Sequence, residues 1–331
     1  MKRNKVIGID LGSSNTIIYL SSMDSIIFNE PTIIASDKSG TKESNIGYIA
    51  KKMVGRTPYS IETISFIKNG LVTSTNQAIS YLKSAFNNLK LNKELRSSTL
   101  IFATPDEVNE VQQNALLEIA KNLNVKEIYL EPISKLTAFG CGISPYSPSG
   151  NMFVNIGGGS TNIGVVASGE LVKGKTIPLG SDNYEKEIIR FIRDKYHVII
   201  GEKTAENIKI KIGNLNKASE NRAFEVKGQD VISSLPHKFI ITSQELYFPL
   251  SKVASDIAFE IQRFIESLPT ELANDVSSLG ITFSGGGSLL NETKKFFSDK
   301  LSVQFSISST PMLTVVNGIR ELLSNDDGTF N

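Results

Sequence analysis

The stretch that decides the fold is Asn155-Ile156-Gly157-Gly158-Gly159-Ser160-Thr161-Asn162. Apolar runs precede it (residues 152–154) and follow it (residues 163–166), so the sequence predicts two strands joined by a glycine turn. Three glycines in a row cost backbone entropy, and we expect another group to come close to the main chain there. Exposed N–H groups in such a turn can bind a phosphate, although a plain β-hairpin would show the same pattern.

The same pattern occurs near the start of the chain, in Val6-Ile7-Gly8-Ile9-Asp10-Leu11-Gly12-Ser13-Ser14-Asn15-Thr16. The two stretches align in the pairs Asp10/Asn155, Leu11/Ile156, Gly12/Gly157 and Thr16/Thr161. One such turn is weak evidence for a phosphate site. Two turns in register, one opening each half of the chain, predict an internal duplication that holds a polyphosphate from both sides.

A third glycine turn follows the apolar residues 281–283, where Gly285, Gly286 and Gly287 precede a stretch of helical character. We expect the strand to pass through these glycines directly into a helix. The free N–H groups at the start of that helix would point at whatever lies over the turn.

Composition limits the classes of protein that this chain can be. Its 331 residues suit one large domain or two ordinary ones, and a net charge of +1 gives no basic excess for binding nucleic acid. Cys141 is the only cysteine, which excludes an intrachain disulfide and suits a cytoplasmic protein. No apolar run approaches the roughly 20 residues that a membrane-spanning helix needs.

The order of patterns along the chain predicts an α/β fold. Strands and helices alternate over residues 98–140, which indicates a mainly parallel sheet covered by helices. Residues 30–72 and 181–243 are predicted to be small insertions, and residues 46–49 are expected to form a strand in the first of them. Thr242 to Glu245 has the signature of a capping box that opens a long helix, and Pro249 is expected to kink that helix or delay its start. A last helix is predicted over about 311–323.

Three glycine turns in this order, with an aspartate in the first, resemble the layout of the actin, Hsp70 and sugar-kinase superfamily. Four collinear segments are similar to MreB, the bacterial actin, and these are residues 9–16, 55–58, 200–206 and 283–290. The chain further resembles the divergent MreB paralogues of wall-less bacteria that swim by changing cell helicity.

The resemblance implies an actin-like ATPase fold with two duplicated ribonuclease-H-like domains. Domain I would span residues 1–143, with core subdomain IA and small subdomain IB at about 30–72, and domain II would span 144–331, with core IIA and small subdomain IIB at about 181–243. The resemblance also implies ATP or ADP with Mg²⁺ in the cleft between the domains. It implies self-assembly into protofilaments that pair, with other MreB paralogues as candidate partners, for cell shape or helicity-driven motility.

The resemblance assigns site residues by matching positions. The residues implied for nucleotide binding are Gly12, Ser13, Ser14, Asn15, Gly157, Gly158, Gly159, Ser160, Glu206, Lys209, Gly285, Gly286, Gly287 and Ser288. Glu206 and Lys209 would flank the ribose and adenine. Asp10 would hold Mg²⁺ through water, because a carboxylate suits a hard cation.

Two departures from the family pattern concern hydrolysis. The family has an aspartate where this chain has Asn155, and a Glu-Glu-Pro run whose two acidic positions are occupied here by Pro132 and Ile133 in an ungapped alignment. A two-residue shift would instead place Glu131 in that run. Only Thr161 remains to position water, so we expect slow or absent hydrolysis and assign no catalytic residue. The alternative is a normal filament-forming ATPase in which another side chain substitutes.

Two other functions on the same fold fit the sequence less well. A small-molecule kinase would need a carboxylate base beside the substrate hydroxyl, and no residue stands in such a position. An Hsp70-type chaperone would need a substrate-binding domain after the ATPase domain, and we expect none because the chain ends at Asn331.

Residues 92–98 correspond to an apolar membrane-inserting loop of some MreB proteins, and here they offer one apolar side chain, Leu95. A single leucine yields only about 2 kcal/mol on burial. Contact with the inner face of the cell membrane is therefore expected to be weak and electrostatic. It would depend on the basic residues Lys2, Arg3, Lys5, Lys93 and Arg96.

Overall fold

The computed structural model describes residues 5–37, 44–143 and 146–324. Lys2, Arg3 and the residues after Ser324 lie outside this range. The elements of the first half are β1 (Lys5–Leu11), β2 (Asn15–Leu20), β3 (Ser25–Pro31), β4 (Ile34–Asp37), β5 (Asn45–Ile46), α1 (Gly47–Met53), β6 (Ile61–Ile64), β7 (Ile67–Lys68), β8 (Leu71–Val72), α2 (Thr75–Asn88), α3 (Asn92–Leu95), β9 (Ser98–Thr104), α4 (Glu110–Leu123), β10 (Glu127–Pro132) and α5 (Ile133–Gly140).

The remaining elements are β11 (Asn151–Ile156), β12 (Thr161–Ala167), β13 (Glu170–Ile177), α6 (Ser181–Tyr196), β14 (Val198–Ile199), α7 (Glu202–Ile212), β15 (Ala223–Asp230), β16 (Pro236–Thr242), α8 (Ser243–Glu266), α9 (Thr270–Leu279), β17 (Ile281–Ser284), a 3-10 helix (Gly286–Leu289), α10 (Thr293–Leu301), β18 (Phe305–Ile307) and α11 (Thr314–Ser324).

Two five-stranded sheets have the same topology, β3-β2-β1-β9-β10 and β13-β12-β11-β17-β18. In each, the first three strands form an antiparallel meander, and the last two join in parallel. The duplicated α/β architecture predicted from the glycine turns is confirmed. Because β1 and β11 are equivalent and central, the turns that follow them occupy the same place in their sheets.

Helix α5 packs between the two sheets, and α11 lies beside it on the first sheet. Leu136 and Phe139 of α5 pack with Val316 and Ile319 of α11 and with Val6 and other residues on one face of the first sheet. Ala138, on another side of α5, packs against Phe153 and Val166 of the second sheet. The last helix of the chain therefore returns to the first sheet, and the N-terminus of α5 points to the region where both glycine turns emerge.

The two helices approach each other closely because each has a glycine at the crossing. A Cβ atom at Gly140 would overlap the carbonyl of Thr314, and one at Gly318 would overlap the carbonyl of Leu136. The other faces of the sheets are covered by separate apolar cores, the first with α2 and α4 and the second with α6 and α8.

Both insertions leave their sheets at the carboxyl edge of the central strand. β3 ends at Pro31, and the following Thr32 donates its N–H to the carbonyl of Ser14 in the first turn at 3.0 Å. β13 ends at Ile177, which pairs with Thr161 directly after the second turn. The segments predicted as insertions thus rise beside the two glycine turns.

Three local predictions are wrong in detail. Residues 46–49 were expected to be a strand, but α1 begins at Gly47, whose φ is +62°, and the Glu30 carboxylate accepts the Tyr48 N–H at 3.0 Å. Pro249 does not delay the start of α8, which begins at Ser243 because Thr242 and Glu245 form the predicted capping box, and the predicted alternative of a kink at Pro249 stays a prediction. Gly285–Gly287 lead into a 3-10 helix rather than an α-helix, since α10 starts only at Thr293.

Candidate functional site

The two glycine turns have the same backbone geometry. Gly12 N–H donates to Asn15 O at 3.1 Å, and Gly157 N–H donates to Ser160 O at 2.9 Å. The last cross-strand pairs before the turns are Leu11 with Thr16 and Ile156 with Thr161. The register predicted from the sequence is therefore the register of the structure.

The two turns also touch each other, although they are far apart in sequence. A Cβ atom at Gly158 would overlap Ser14 Oγ, and one at Gly159 would lie 2.6 Å from Ser13 Oγ. Ser14 Oγ in turn lies 3.4 Å from a carboxylate oxygen of Asp182, at the start of α6. Glycine is required at these positions because the opposing turn approaches the main chain.

The third turn lies against the second. Gly285 has a φ of +80°, and a Cβ atom there would overlap the carbonyl of Ile156, the residue before Gly157. Ser288 Oγ donates to Gly285 O at 2.7 Å and holds the 3-10 helix in place. The structure thus brings together three turns, each of which is separated from the other two by about 130 residues or more in the sequence.

The equivalent residues Asp10 and Asn155 have different surroundings. Burial raises the pKa of the Asp10 carboxyl to about 6, and among residues 5–37, 44–143 and 146–324 it has no hydrogen-bond or ion-pair partner. Asn155 is buried, and its Nδ2 donates to Ser284 Oγ at 2.9 Å. An unpartnered, half-buried carboxylate fits a hydrated Mg²⁺, which commonly takes only one or two protein carboxylates. In the described part of the chain no cluster of three His, Cys, Asp or Glu side chains could hold a metal directly.

Thr161 is fully buried directly after the second turn. Its hydroxyl donates to Leu179 O at 2.7 Å, which uses the hydrogen and leaves the oxygen only as an acceptor. This arrangement fixes the side chain, so any water beside it would have to donate to Thr161 Oγ1.

A carboxylate that the sequence analysis missed lies at the N-terminus of α5. The Ser134 N–H donates to Asp106 Oδ1 at 2.8 Å, and the Ser134 hydroxyl bonds to the other carboxylate oxygen. The Asp106 N–H lies 3.0 Å from Thr176 Oγ1 and 3.3 Å from Asn162 Oδ1, in the second sheet. Burial raises the pKa of Asp106 to about 7, although the bonds from Ser134 oppose this shift.

The position of Asp106 could have been a signal, because it directly follows the buried strand β9, at the edge of the sheet where the glycine turns lie. The partners of Asp106 could not have been found from the sequence, since Ser134 and Thr176 are 28 and 70 residues away. Asp106 connects α5 with both halves of the chain.

Glu131, the other candidate for the hydrolytic carboxylate, is held in ion pairs. It lies 3.2 Å from Lys135 Nζ, which also binds Glu170 at 3.0 Å. Burial raises the pKa of Glu131, and the charge of Lys135 opposes that shift. Pro132 is the N-cap of α5 and Ile133 its first residue, so neither supplies a polar group at that helix terminus.

Glu206 and Lys209, implied to flank the ribose and adenine, both lie on α7. Lys209 Nζ binds Glu185 Oε1 of α6 at 2.6 Å, and Glu206 binds Lys51 Nζ of α1 at 2.9 Å. The first ion pair lies within the second half of the chain. The second pair connects the two halves.

A second feature missed from the sequence is the β7–β8 turn. Asn69 and Gly70 have φ values of +53° and +78°, as expected for an Asn-Gly hairpin turn. The Gly70 N–H donates to Ser13 Oγ at 3.1 Å, and a Cβ atom at Gly70 would lie 2.5 Å from Ser160 Oγ. The first insertion therefore contacts both phosphate-loop candidates, and the Asn-Gly dipeptide was the signal for it.

The segment 92–98 offers no apolar group to a membrane. Leu95 is only 4% exposed and belongs to the core of the first half, while Lys93 and Arg96 are exposed. Lys5 lies 3.4 Å from Glu94. The prediction that Leu95 is available for weak insertion is wrong, because α3 turns it inward. Within the described ranges, no helix combines the length and the apolar character needed to cross a bilayer.

Comparisons with known proteins agree with this geometry. The sequence profile of the MreB/Mbl protein family matches residues 4–329. The chain is 33% identical over 321 residues to the cell shape-determining protein Mbl of Bacillus subtilis (strain 168), covering 97% of this chain and 96% of that protein. It is 30% identical to the cell shape-determining protein MreB of Escherichia coli (strain K12), covering 94% and 91%.

Solved structures show the same relationship. The structure of MreB5 of Spiroplasma citri bound to AMPPNP superposes with a TM-score of 0.92 at 30% identity and covers 98% of this chain and 97% of that chain. The MamK double helical filament superposes with a TM-score of 0.80 at 16% identity, over 97% and 99%, which shows the fold alone. The chain therefore has the actin-like fold that its glycine turns predicted, and it belongs to the MreB/Mbl family of bacterial actin-like cytoskeletal proteins.

Proposed function

We propose that this protein binds ATP with Mg²⁺ between its two sheets, assembles into filaments, and hydrolyses ATP slowly or not at all. The observation that carries the proposal is the contact between the two equivalent glycine turns, Ser13–Ser14 against Gly158–Gly159. A duplicated pair of loops with free N–H groups is suited to a polyphosphate. The similar MreB5 structures were determined with AMPPNP and with ADP.

In this proposal the site residues act in four groups. Residues 12–15 and 157–160 hold the phosphates from opposite sides. Gly285, Gly286, Gly287 and Ser288 lie under the base and the α-phosphate, and Glu206 and Lys209 flank the ribose and adenine. Asp10 holds Mg²⁺ through water, and the bound ion supplies neutralisation of phosphate charge. Domain I (1–143) and domain II (144–331) are the proposed domains, with the last helix of domain II packed on the sheet of domain I.

The proposal of weak hydrolysis is supported by what surrounds the phosphate site. Asn155 replaces one acidic partner of Mg²⁺ and of the attacking water, and Ile133 offers no proton acceptor. Glu131 is paired with Lys135, and within the described ranges none of its hydrogen bonds or ion pairs reaches a glycine turn. Loss of a positioned acid or base commonly costs on the order of 10²–10⁴ in rate.

One observation favours the alternative of a normal ATPase. Asp106 brings a carboxylate to the N-terminus of α5, the helix in which the family carries its acidic residues, and its pKa of about 7 suits proton transfer near neutral pH. Both of its oxygens already accept bonds from Ser134, so it would have to release one of them to act on water.

A single-turnover assay decides between these functions. Purified protein is mixed with a substoichiometric amount of ATP and Mg²⁺, and bound nucleotide, free phosphate and light scattering are followed together. We expect bound ATP and scattering to rise without phosphate release. Phosphate release that is rapid in the wild type and lost in Asp106→Asn would establish the alternative, and absence of ATP binding would refute both.

We also propose that the filaments act in cell shape or helicity-driven motility, in the cytoplasm at the inner face of the membrane, with other MreB paralogues as partners. The support is membership of a family whose named members determine cell shape. Sedimentation of the protein alone, with each paralogue and with anionic vesicles tests these associations separately.

A further inference from the structure

An ion pair joins the two halves of the protein beside the proposed nucleotide site. Lys51 Nζ, on α1 of the first insertion, donates to both carboxylate oxygens of Glu206, on α7, at 3.1 Å and 2.9 Å. The side chains are 39% and 32% exposed, so solvent and salt reach the pair. The contact spans 155 positions in sequence.

The charges around Glu206 show why a lysine from the other half is needed. Burial raises the pKa of Glu185 of α6, the charge and hydrogen bond of Lys209 oppose that shift, and the nearby negative charges of Asp182 and Glu206 add to it. Lys209 is committed to Glu185 at 2.6 Å, and both of those side chains are largely buried. Lys209 is thus paired with Glu185 within the second half, and Lys51 of the first half is the lysine that pairs with Glu206.

We propose that Lys51 is a positioning residue for the nucleotide site: it orients the Glu206 carboxylate toward the ribose hydroxyls and so connects nucleotide binding with closure of the two halves. This inference rests on the proposed function, in which Glu206 faces the ribose. A carboxylate has about four lone-pair positions, and Lys51 engages both oxygens while leaving acceptors free for the 2′- and 3′-hydroxyls.

Binding of the ribose and formation of the Lys51–Glu206 ion pair would then stabilise each other. When Lys51 holds Glu206, the carboxylate meets the ribose without first losing rotamer freedom. When the pair is broken, Glu206 is free to rotate away from Glu185, and the two insertions lose a contact across the cleft. Nucleotide should leave faster, and the 2′-hydroxyl should contribute less to affinity.

The experiment measures release of a fluorescent ATP analogue and the affinities for ATP and 2′-deoxy-ATP in four proteins: wild type, Lys51→Gln, Lys51→Arg and Lys52→Gln. Lys52 is the exposed neighbour on the same helix and carries the same charge change. Lys51→Gln is expected to release nucleotide about two- to fivefold faster, as befits a partly exposed ion pair, and to discriminate less between ATP and the deoxy analogue.

Lys51→Arg should restore both properties, and Lys52→Gln should match the wild type. Added salt should speed release from the wild type toward the rate of Lys51→Gln and change that variant little. If the wild type binds ATP but Lys51→Gln behaves like Lys52→Gln, the inference is overturned while the proposed function stands. If the wild type binds no ATP, both fail.

Discussion

Asn155 donates a hydrogen bond to Ser284 Oγ at 2.9 Å, whereas its counterpart Asp10 has no partner in the described part of the chain. The two residues occupy equivalent positions at the ends of equivalent strands. The duplicated site is therefore symmetric in its backbone and asymmetric in its charge. One half presents an anion to a cation, and the other has turned its polar group toward the third glycine turn.

Asn155→Asp should make the site symmetric in charge. The new carboxylate cannot donate, so the Ser284 hydroxyl would rotate to donate to it, and the second oxygen would face the metal. We expect Mg²⁺-dependent ATP affinity to rise about tenfold, since a second anion a few ångströms from the ion gains several kcal/mol before desolvation is subtracted. Hydrolysis should remain slow, because no acid is restored in α5.

A magnesium titration of ATP binding measures this effect. Asn151→Asp, at the start of the same strand, is the control for an added charge. An unchanged magnesium dependence in Asn155→Asp would show that residue 155 does not face the ion.

Asp106→Asn should alter the pH dependence of stability. Burial raises the pKa of Asp106 to about 7, whereas the carboxyl of the unfolded chain has its ordinary pKa of 3.8. Between these values the folded state binds more protons, so this group stabilises the fold at low pH, and the contribution is lost as the pH rises toward 7. The slope reaches at most about 1.4 kcal/mol per pH unit.

The asparagine keeps an acceptor for the Ser134 N–H and does not titrate. Urea unfolding from pH 4 to 8 should therefore show the variant gaining stability relative to the wild type as the pH rises. Glu118→Gln, an exposed carboxylate of α4 that is not among the groups acting on Asp106, is the matched control. If the stabilities of Asp106→Asn and of the wild type change in parallel with pH, the pKa of Asp106 is not raised in the folded protein.

Gly158→Ala should weaken nucleotide binding with little loss of stability. The added methyl group would meet Ser14, whose side chain can rotate but whose main-chain nitrogen would lie 3.2 Å away. The turns must then separate by some tenths of an ångström, and we expect about a tenfold loss of ATP affinity, given that a misplacement of about 1 Å can cost on the order of 10².

Calorimetric titration with ATP checks this expectation, with Gly201→Ala as the matched control. A methyl group at Gly201 has no heavy atom within 4 Å. Equal ATP affinity in the two variants would mean that the contact between the turns does not shape the site.

Binding to anionic vesicles should be weak and sensitive to salt. Leu95 is buried, so only charge remains, and each basic residue near an anionic surface is worth about 1 kcal/mol. The double variant Lys93→Glu, Arg96→Glu should abolish pelleting with the vesicles at low salt. Lys186→Glu with Lys294→Glu, two exposed lysines of the second half, is the control. Pelleting that persists at about 1 M salt would refute a purely electrostatic contact.

The parts of the fold that the sequence predicted are those with a local signal. Glycine turns flanked by apolar runs gave the register of both hairpins, and Thr242 with Glu245 gave the start of α8 in spite of Pro249. The prediction of a strand over residues 46–49 was wrong because Glu30, a side chain of β3, accepts a backbone hydrogen bond in the first turn of α1.

The parts of the site that could not be predicted depend on contacts between distant residues. Asp106 with Ser134 and Lys51 with Glu206 are pairs whose partners lie 28 and 155 residues apart, so no local pattern connects the two members of a pair. Side-chain pairing across two sheets leaves no periodicity to detect. Leu95 is a further example of a contact that the local sequence does not show. This apolar residue between charged residues was expected to be exposed, but it is buried in the core.

The return of α11 to the first sheet means that the chain passes between the halves twice, once after α5 and once before α11. Most tandem domains can be separated by a single proteolytic cut, but a cut in either passage here would leave the halves joined by the other. Two connections also restrict relative motion mainly to rotation about the line through them. Since Gly140 and Gly318 let α5 and α11, the helices beside these two passages, come into contact, a larger residue at either glycine should separate the helices and so change how the two halves rotate relative to each other.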